Sequence, residues 1–183
     1  VEATRVRMEN CGTAGANASG AGASITLDDC VVRHTRRSAR EAIQGALQAQ
    51  EGASLIARRV SVEDSDRSAA VAAGKGSRLT LEDAVLLRSG RAFADFTSEN
   101  SPLGAVIAFG GATLEATRVR VDGAVSVGVE SIGGGTRVTL EGSLVRAGEA
   151  AYGAMAWGGA TLEARRTLFD ANDQCGALAL DDE

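Results

Sequence analysis

The sequence predicts an all-β solenoid, a chain wound into about seven coils of roughly 24 residues each. Three observations predict it. The phrase GGATLEA stands at 110–116 and again at 158–164, 48 residues later. An apolar anchor recurs at Val1, Ile25, Leu55, Leu79, Leu114, Val138 and Leu162, at spacings of 24, 30, 24, 35, 24 and 24 residues. The side chains at the anchor and two, five and seven residues after it are apolar or small in almost every unit, as in Leu79, Leu81, Ala84 and Leu86. A fixed period of this length marks units that bury their apolar faces against each other. The two longer spacings are the same unit with insertions of six and eleven residues.

Each element of a unit follows from its pattern. Leu114 and Ala116 alternate with polar neighbours, which is the period of a strand. The alternation slips before Val119 and Val121, so a bend separates that strand from a second one. A third stretch precedes the next anchor: GALQAQ, SAAVAA, GAVIAF, GAMAWG and GALALD. Gly, Val and Thr recur where a helix would favour Ala, Leu and Lys, so this stretch too is predicted as strand. One Pro and 23 Gly suit a chain that is mostly ladder-bonded between tight corners. GGATLE and IGGGTRV have no following helix and no GK[ST], so they read as corner turns and not as phosphate loops. With aromatics at 3%, the interior must be narrow and filled by Ala, Val, Leu and Gly. Strands stacked at ~4.8 Å put seven coils in a rod of roughly 30–35 Å.

The repeats GGATLEATRVRV and GSRLTLEDAVLL resemble those of the right-handed parallel β-helix proteins. That superfamily holds pectate lyases, polygalacturonases, phage tailspikes and bacterial surface proteins. The resemblance runs along the whole chain and lies in the repeat itself. It implies an all-β, right-handed parallel β-helix, a handedness that also follows from the rule for parallel crossovers. Residues 1–183 are expected to form one such domain, with insertions near 35–41 and 90–101, as a segment of a longer protein. The resemblance further implies a bacterial protein, secreted or at the cell surface. The sequence begins and ends inside the repeat, so the terminal coils are expected to be exposed and to permit end-to-end stacking.

Two kinds of unit alternate. One reads VEATRVRM, LIARRVSV, LEATRVRV and LEARRTLF; the other reads ITLDDCVV, LTLEDAVL and VTLEGSLV. Four residues after the anchor the series is Arg5, Asp29, Arg59, Asp83, Arg118, Gly142 and Arg166. Eight after it the series is Glu9, Arg33, Glu63, Leu87, Asp122, Arg146 and Asp170. Equivalent positions stack in a solenoid, so the alternation predicts opposite charges on neighbouring coils, with Arg118 beside Asp83 and Arg146 between Asp122 and Asp170.

Net charge is −5 with both signs interspersed, which argues against nucleic-acid partners and a polybasic membrane patch. No apolar run reaches transmembrane length, so no membrane span is expected. Three Cys do not make a disulfide framework, and unpaired thiols weigh against a strongly oxidising compartment. Cys30 falls on an interior position, while Cys11 and Cys175 belong to opposite ends of the rod. One His, no Cys cluster and no DxDxDG loop give no metal site, and no cofactor is expected.

Two places carry candidate chemistry. Both insertions, within 33–44 and 88–104, follow the same strand of LTLED-type units, and the VEDSDRS turn lies between them. This corner gathers His34, Asp64, Asp66 and Arg91, which are the catalytic candidates if the protein is an enzyme, with the Arg36–Arg37 pair expected at the rim. Phe93 and Phe96 are expected to pin the second insertion against the rod. The enzymes of the resembling superfamily carry acids, or calcium with Arg or Lys, on an outer face. Here Glu115 and Glu163 share an outward column but stand two coils apart, roughly 10 Å, beyond the ~6.5–9.5 Å of an inverting pair. The second place is an apolar stripe. With Val106 and Ala108 turned inward, Ile107, Phe109, Met155 and Trp157 face out, and Ser131 and Gly133 are expected between them. Such a stripe marks contact with a carbohydrate or a protein partner. The function expected is therefore a non-enzymatic structural or binding module, an adhesin-like or carbohydrate-contacting rod. The alternative is a polysaccharide lyase or glycoside hydrolase with its site at the 33–104 insertion corner.

Overall fold

Each unit folds as three short strands. In the first coil these are β1 (Glu2–Thr4), β2 (Arg7–Glu9) and β3 (Ala16–Ser19), and the pattern continues to β21 (Cys175–Leu180). The computed structural model describes residues 1–36, 45–90, 104–148 and 151–180. The strands form three parallel sheets of seven strands each, and every sheet takes one strand from every coil. Among the described residues there is no helix. The chain is an all-β parallel solenoid of seven coils, a parallel β-helix.

The predicted anchors stack in one column of the first sheet. Ile25, Leu55, Leu79, Leu114, Val138 and Leu162 are consecutive partners in the parallel register. Leu55, Leu79, Leu114 and Val138 are fully buried. Met8, Val32, Val62, Leu86, Val121, Val145 and Phe169 line up in the second sheet. Leu47, Ala70, Val106, Val129 and Ala154 do so in the third. These columns meet in one apolar core along the rod axis. Cys30 belongs to it, and all three cysteines are free.

The bend inferred from the slip in alternation is a single residue with positive φ. Arg5, Asp29, Arg59, Asp83, Arg118, Gly142 and Arg166 hold φ between 48° and 58°. The left-handed region costs an L-residue roughly 1–2 kcal/mol. Where a further described coil follows, the bend recovers a ladder bond: the amide of Arg59 donates to Glu82 O and that of Arg118 to Glu141 O, at 2.9 and 2.8 Å. Gly142, which interrupts the charge series, therefore occupies the same bend as the charged residues. A second bend column follows the second sheet, at Asn10, His34, Asp64, Arg88 and Gly123.

The corner between the third and first sheets carries a device that the repeat pattern did not reveal. Ser77 and Thr136 are buried in the coils that carry LTLED and VTLEG. Their hydroxyls donate to Ala73 O and Ile132 O and accept the amides of Gly52 and Gly111 in the coil before. The Ser or Thr two residues before each of these anchors is thus a polar pin between coils.

Candidate functional site

Both insertions leave the rod where the second sheet hands over to the third. The first lies between β5 (Val31–Arg33) and β6 (Gly45–Gln50), the second between β11 (Val85–Leu87) and β12 (Gly104–Phe109). Between them runs the turn from β8 (Ser61–Glu63) to β9 (Ser68–Ala73). A cleft of about 720 Å³ opens at this corner, lined by Asn10, His34, Arg36, Asp64 and Asp66. The structure therefore brings together three of the predicted residues, His34, Asp64 and Asp66. Arg91, with Arg37, Phe93 and Phe96, lies outside the described residues.

His34 and Asp64 owe their placement to the second bend column. Their φ angles are 53° and 55°, and their amides donate to Glu63 O and Leu87 O, both at 3.1 Å. The backbone beyond them stays in register, with Arg36 N–H on Cys11 O at 2.8 Å and Asp66 N–H on Thr35 O at 2.9 Å. Thr35 is buried, and its hydroxyl has no hydrogen-bond partner among the described residues.

The carboxylates here are engaged by guanidinium groups. Arg88 Nε donates to Asp64 Oδ1 at 2.8 Å and Nη2 to Oδ2 at 3.0 Å, a bidentate pair. The hydrogen bonds that Arg88 donates to Asp64 raise the pKa of Arg88. Glu63 accepts from Arg33 Nη2 at 3.1 Å and from the Ser61 hydroxyl at 2.9 Å. Burial works to raise the Glu63 carboxyl, but these two hydrogen bonds and the nearby Arg charges outweigh it and hold the group below its usual value. Among the described residues, no group of three His, Cys, Asp or Glu side chains is placed to hold a metal ion.

The ion-pair pattern along the rod is as predicted, with a direction the sequence did not give. In the first bend column Arg59 takes Asp29, Arg118 takes Asp83 and Arg166 takes Glu141, with closest contacts of 2.6, 2.6 and 2.7 Å. Each Arg reaches back to an acid on the preceding coil. The hydrogen bond from Arg118 holds Asp83 below its usual carboxyl range, and Arg59 does the same for Asp29. Arg146 lies between Asp170 at 2.6 Å and Asp122 at 3.9 Å. Glu115 and Glu163 are separated by Thr139, and Glu163 is met by Arg137 at 3.4 Å.

The apolar stripe needs correcting. Val106 and Ala108 do point into the core, and Ile107 and Phe109 do not. Ile107 is nevertheless only 2% exposed, and Phe109, Met155 and Trp157 are half-buried. The coil between contributes Glu130 and Ile132, not Ser131 and Gly133, because the register pairs Ile107 with Glu130 and Phe109 with Ile132. Met155 and Trp157 continue the two columns. Glu130 is buried and binds its neighbours: the Trp157 indole donates to Oε1 and the Gly104 amide to Oε2, both at 3.0 Å. The missed signal was VGVESI, where an acid stands at an outward position among apolar residues.

Comparison with protein-family models, curated proteins and solved structures found no match in any of the three.

Proposed function

We propose that this chain is a structural and binding rod of the right-handed parallel β-helix kind, secreted or at a bacterial cell surface, and not a catalyst. The observation that carries this reading is the bidentate clamp of Arg88 on Asp64. One of the two acids on which a hydrolase or lyase at the insertion corner would draw is held by a cation of the next coil, in the manner of the ladder pairs. Both Asp64 oxygens are taken up by the guanidinium, which leaves them poorly placed to meet a substrate. The half-buried column Phe109, Ile132 and Trp157 on the outer face of the third sheet supports a binding role. Ring faces beside a carboxylate that already takes the indole N–H suit a flat, hydroxyl-rich ligand such as a carbohydrate.

A polysaccharide lyase or hydrolase is the second reading. It is favoured by the cleft of about 720 Å³ that joins His34, Arg36, Asp64 and Asp66. A polysaccharide panel, scored for binding and for turnover with and without calcium, separates the two. The rod reading expects binding that is lost in Trp157→Ala and kept in Asp64→Ala, with no turnover. Turnover that disappears in Asp64→Ala or Asp66→Ala, with the far-ultraviolet spectrum unchanged, overturns it.

A further inference from the structure

We propose that Glu130 is a positioning residue for Trp157, and that a buried chain of hydrogen bonds links the Trp157 ring to the turn at the insertion corner. The proposal rests on the binding reading in giving Trp157 its use, and it is tested without a ligand.

The fold does not call for a carboxylate at position 130. Glu130 stands in β15 (Val127–Ile132), in the outward column Val71, Ile107, Glu130, Met155 and Leu178. Val71 and Ile107 fill that column as buried apolar side chains, and Glu130 is only 3% exposed. A buried charge costs free energy unless its hydrogen bonds are made, and apolar side chains of similar volume often serve stability as well or better. What Glu130 does, and Ile or Met cannot, is accept hydrogen bonds. Its Oε1 takes the indole N–H of Trp157 in β18 (Tyr152–Trp157), and its Oε2 takes the amide of Gly104, the first residue of β12, each at 3.0 Å. One carboxylate thus ties the strand before it to the strand after it. With its N–H committed to a buried acceptor, the indole is restricted in plane.

The chain of bonds continues to the insertion corner. Ser65 Oγ donates to Ser68 O at 3.0 Å, and Ser68 Oγ donates to Gly104 O at 2.8 Å. Both serines are buried. Ser65 lies between Asp64 and Asp66, which line the cleft. Ser68, Gly104, Glu130 and Trp157 belong to β9, β12, β15 and β18, four neighbouring strands of the third sheet, so the chain spans about 14 Å. The same turn is bonded to the other margin of the second insertion: the amide of Gly90 donates to Ser65 O at 3.2 Å and to Arg67 O at 2.9 Å. Gly104 owes its identity to this contact. A Cβ there would stand 3.0 Å from Glu130 Cβ and 2.9 Å from Val106 O, so a side chain would press on Glu130. Movement of the VEDSDRS turn therefore has a contiguous path to the Trp157 ring.

Trp157 is the single Trp of the chain, so its indole proton and its emission report on this one ring. In the full chain, nuclear magnetic resonance follows exchange of the indole N–H and acrylamide quenching follows access to the ring. Glu130→Gln leaves one acceptor for two donors. The indole N–H is expected to exchange at least about tenfold faster and quenching to rise, with the far-ultraviolet spectrum unchanged. Ser68→Ala alters neither Glu130 nor Trp157 and should move both readouts in the same direction, to a smaller extent; it decides the matter if Glu130→Gln does not fold. Glu115→Gln changes an exposed acid of the same coil and should move neither. The proposal fails if the indole in Glu130→Gln exchanges as in the unaltered chain. It fails equally if exchange quickens only in step with the backbone amides of the first sheet, which is what a merely structural role would give. An indole that responds to Glu130→Gln but not to Ser68→Ala overturns the link to the insertion corner. A polysaccharide panel to which the unaltered chain does not bind overturns the carbohydrate reading instead, and the link then stands or falls on the indole.

Discussion

Leu79→Ala tests the rod interior at a fully enclosed point. Leu79 is fully buried and its column neighbours are Leu55 and Leu114, both fully buried as well. Truncation removes three carbon groups, a transfer loss of about 2.4 kcal/mol at ~0.8 kcal/mol per buried group. The void left behind adds to this, and here it closes poorly. The coils above and below are held by continuous ladders, so Leu55 and Leu114 cannot move inward without breaking register. The expected cost is therefore in the upper half of the Leu→Ala range, about 4 kcal/mol, or a fall in melting temperature of roughly 8–16 °C for a chain of this size. Urea unfolding followed by both far-ultraviolet circular dichroism and Trp157 fluorescence measures it. The two probes also show whether the coils unfold together, which repeat architectures do not always do. Leu162→Ala is the control: it lies in the same column of the last coil but is only half-buried. It should cost no more than ~2 kcal/mol. If Leu79→Ala costs no more than Leu162→Ala, the anchors do not form a rigid stack and the reasoning is wrong.

Gly128→Ala should destabilise by ~1–3 kcal/mol through overpacking, because a Cβ there meets Val145 Cγ1 and the Gly153 carbonyl oxygen; unchanged stability would show that the coils yield easily. Acid should weaken the rod: the folded pKa values of Asp29, Asp83 and Glu63 are depressed, so their contribution is present above the unfolded carboxyl pKa of about 4 and is lost as pH falls through the folded values. Stability measured by urea titration should be flat from about pH 7 to 5 and fall below about 4.5, and stability rising on acidification would contradict the ladder. A thiol reagent should label Cys11 and Cys175 in the native state and Cys30 only after unfolding, since Cys30 alone is buried; native labelling of all three would remove Cys30 from the core.

The period, the anchors and the charge partners were legible because a solenoid stacks equivalent residues. One spacing therefore fixes many contacts, and Arg118 beside Asp83 followed from counting alone. Two things were not legible. A slip in alternation announces a bend but not its backbone, so nothing in the letters showed that Arg59 or Asp83 would sit at positive φ. The outer face of the third sheet was the harder case. Alternation gave the right inward residues, Val106 and Ala108, but facing away from the core does not mean facing water. Ile107 and Glu130 point outward and are buried all the same. The register across that face also differs by one residue from the expected one: Ser131 and Gly133 were expected between the two coils, but the ladder pairs Ile107 with Glu130 and Phe109 with Ile132. The corner of His34, Asp64 and Asp66 was found from topology, since insertions after equivalent strands emerge side by side; the Arg88 clamp on Asp64 lies in the second bend column, whose backbone the alternation does not specify.

The alternation of charge does more for register than for stability. Pairs as exposed as Arg118 with Asp83 are screened by solvent and weakened further by salt, so they add little to stability. Apolar burial alone, however, barely distinguishes one coil from the next: Leu55, Leu79 and Leu114 are the same side chain in the same column. A strand that slipped by one coil would still bury a Leu against a Leu. It would also set Arg59 beside Arg118, and Asp29 beside Asp83, across a ~4.8 Å gap. Several like-charge contacts arise together in such a slip, and the correct register has none of them. A slip by two coils restores the charges but must skip 48 residues of chain between the GGATLEA phrases. The repeat of 48 rather than 24 residues thus doubles the distance to the nearest tolerated error, and the long loop such an error leaves unpaired makes it the less accessible one.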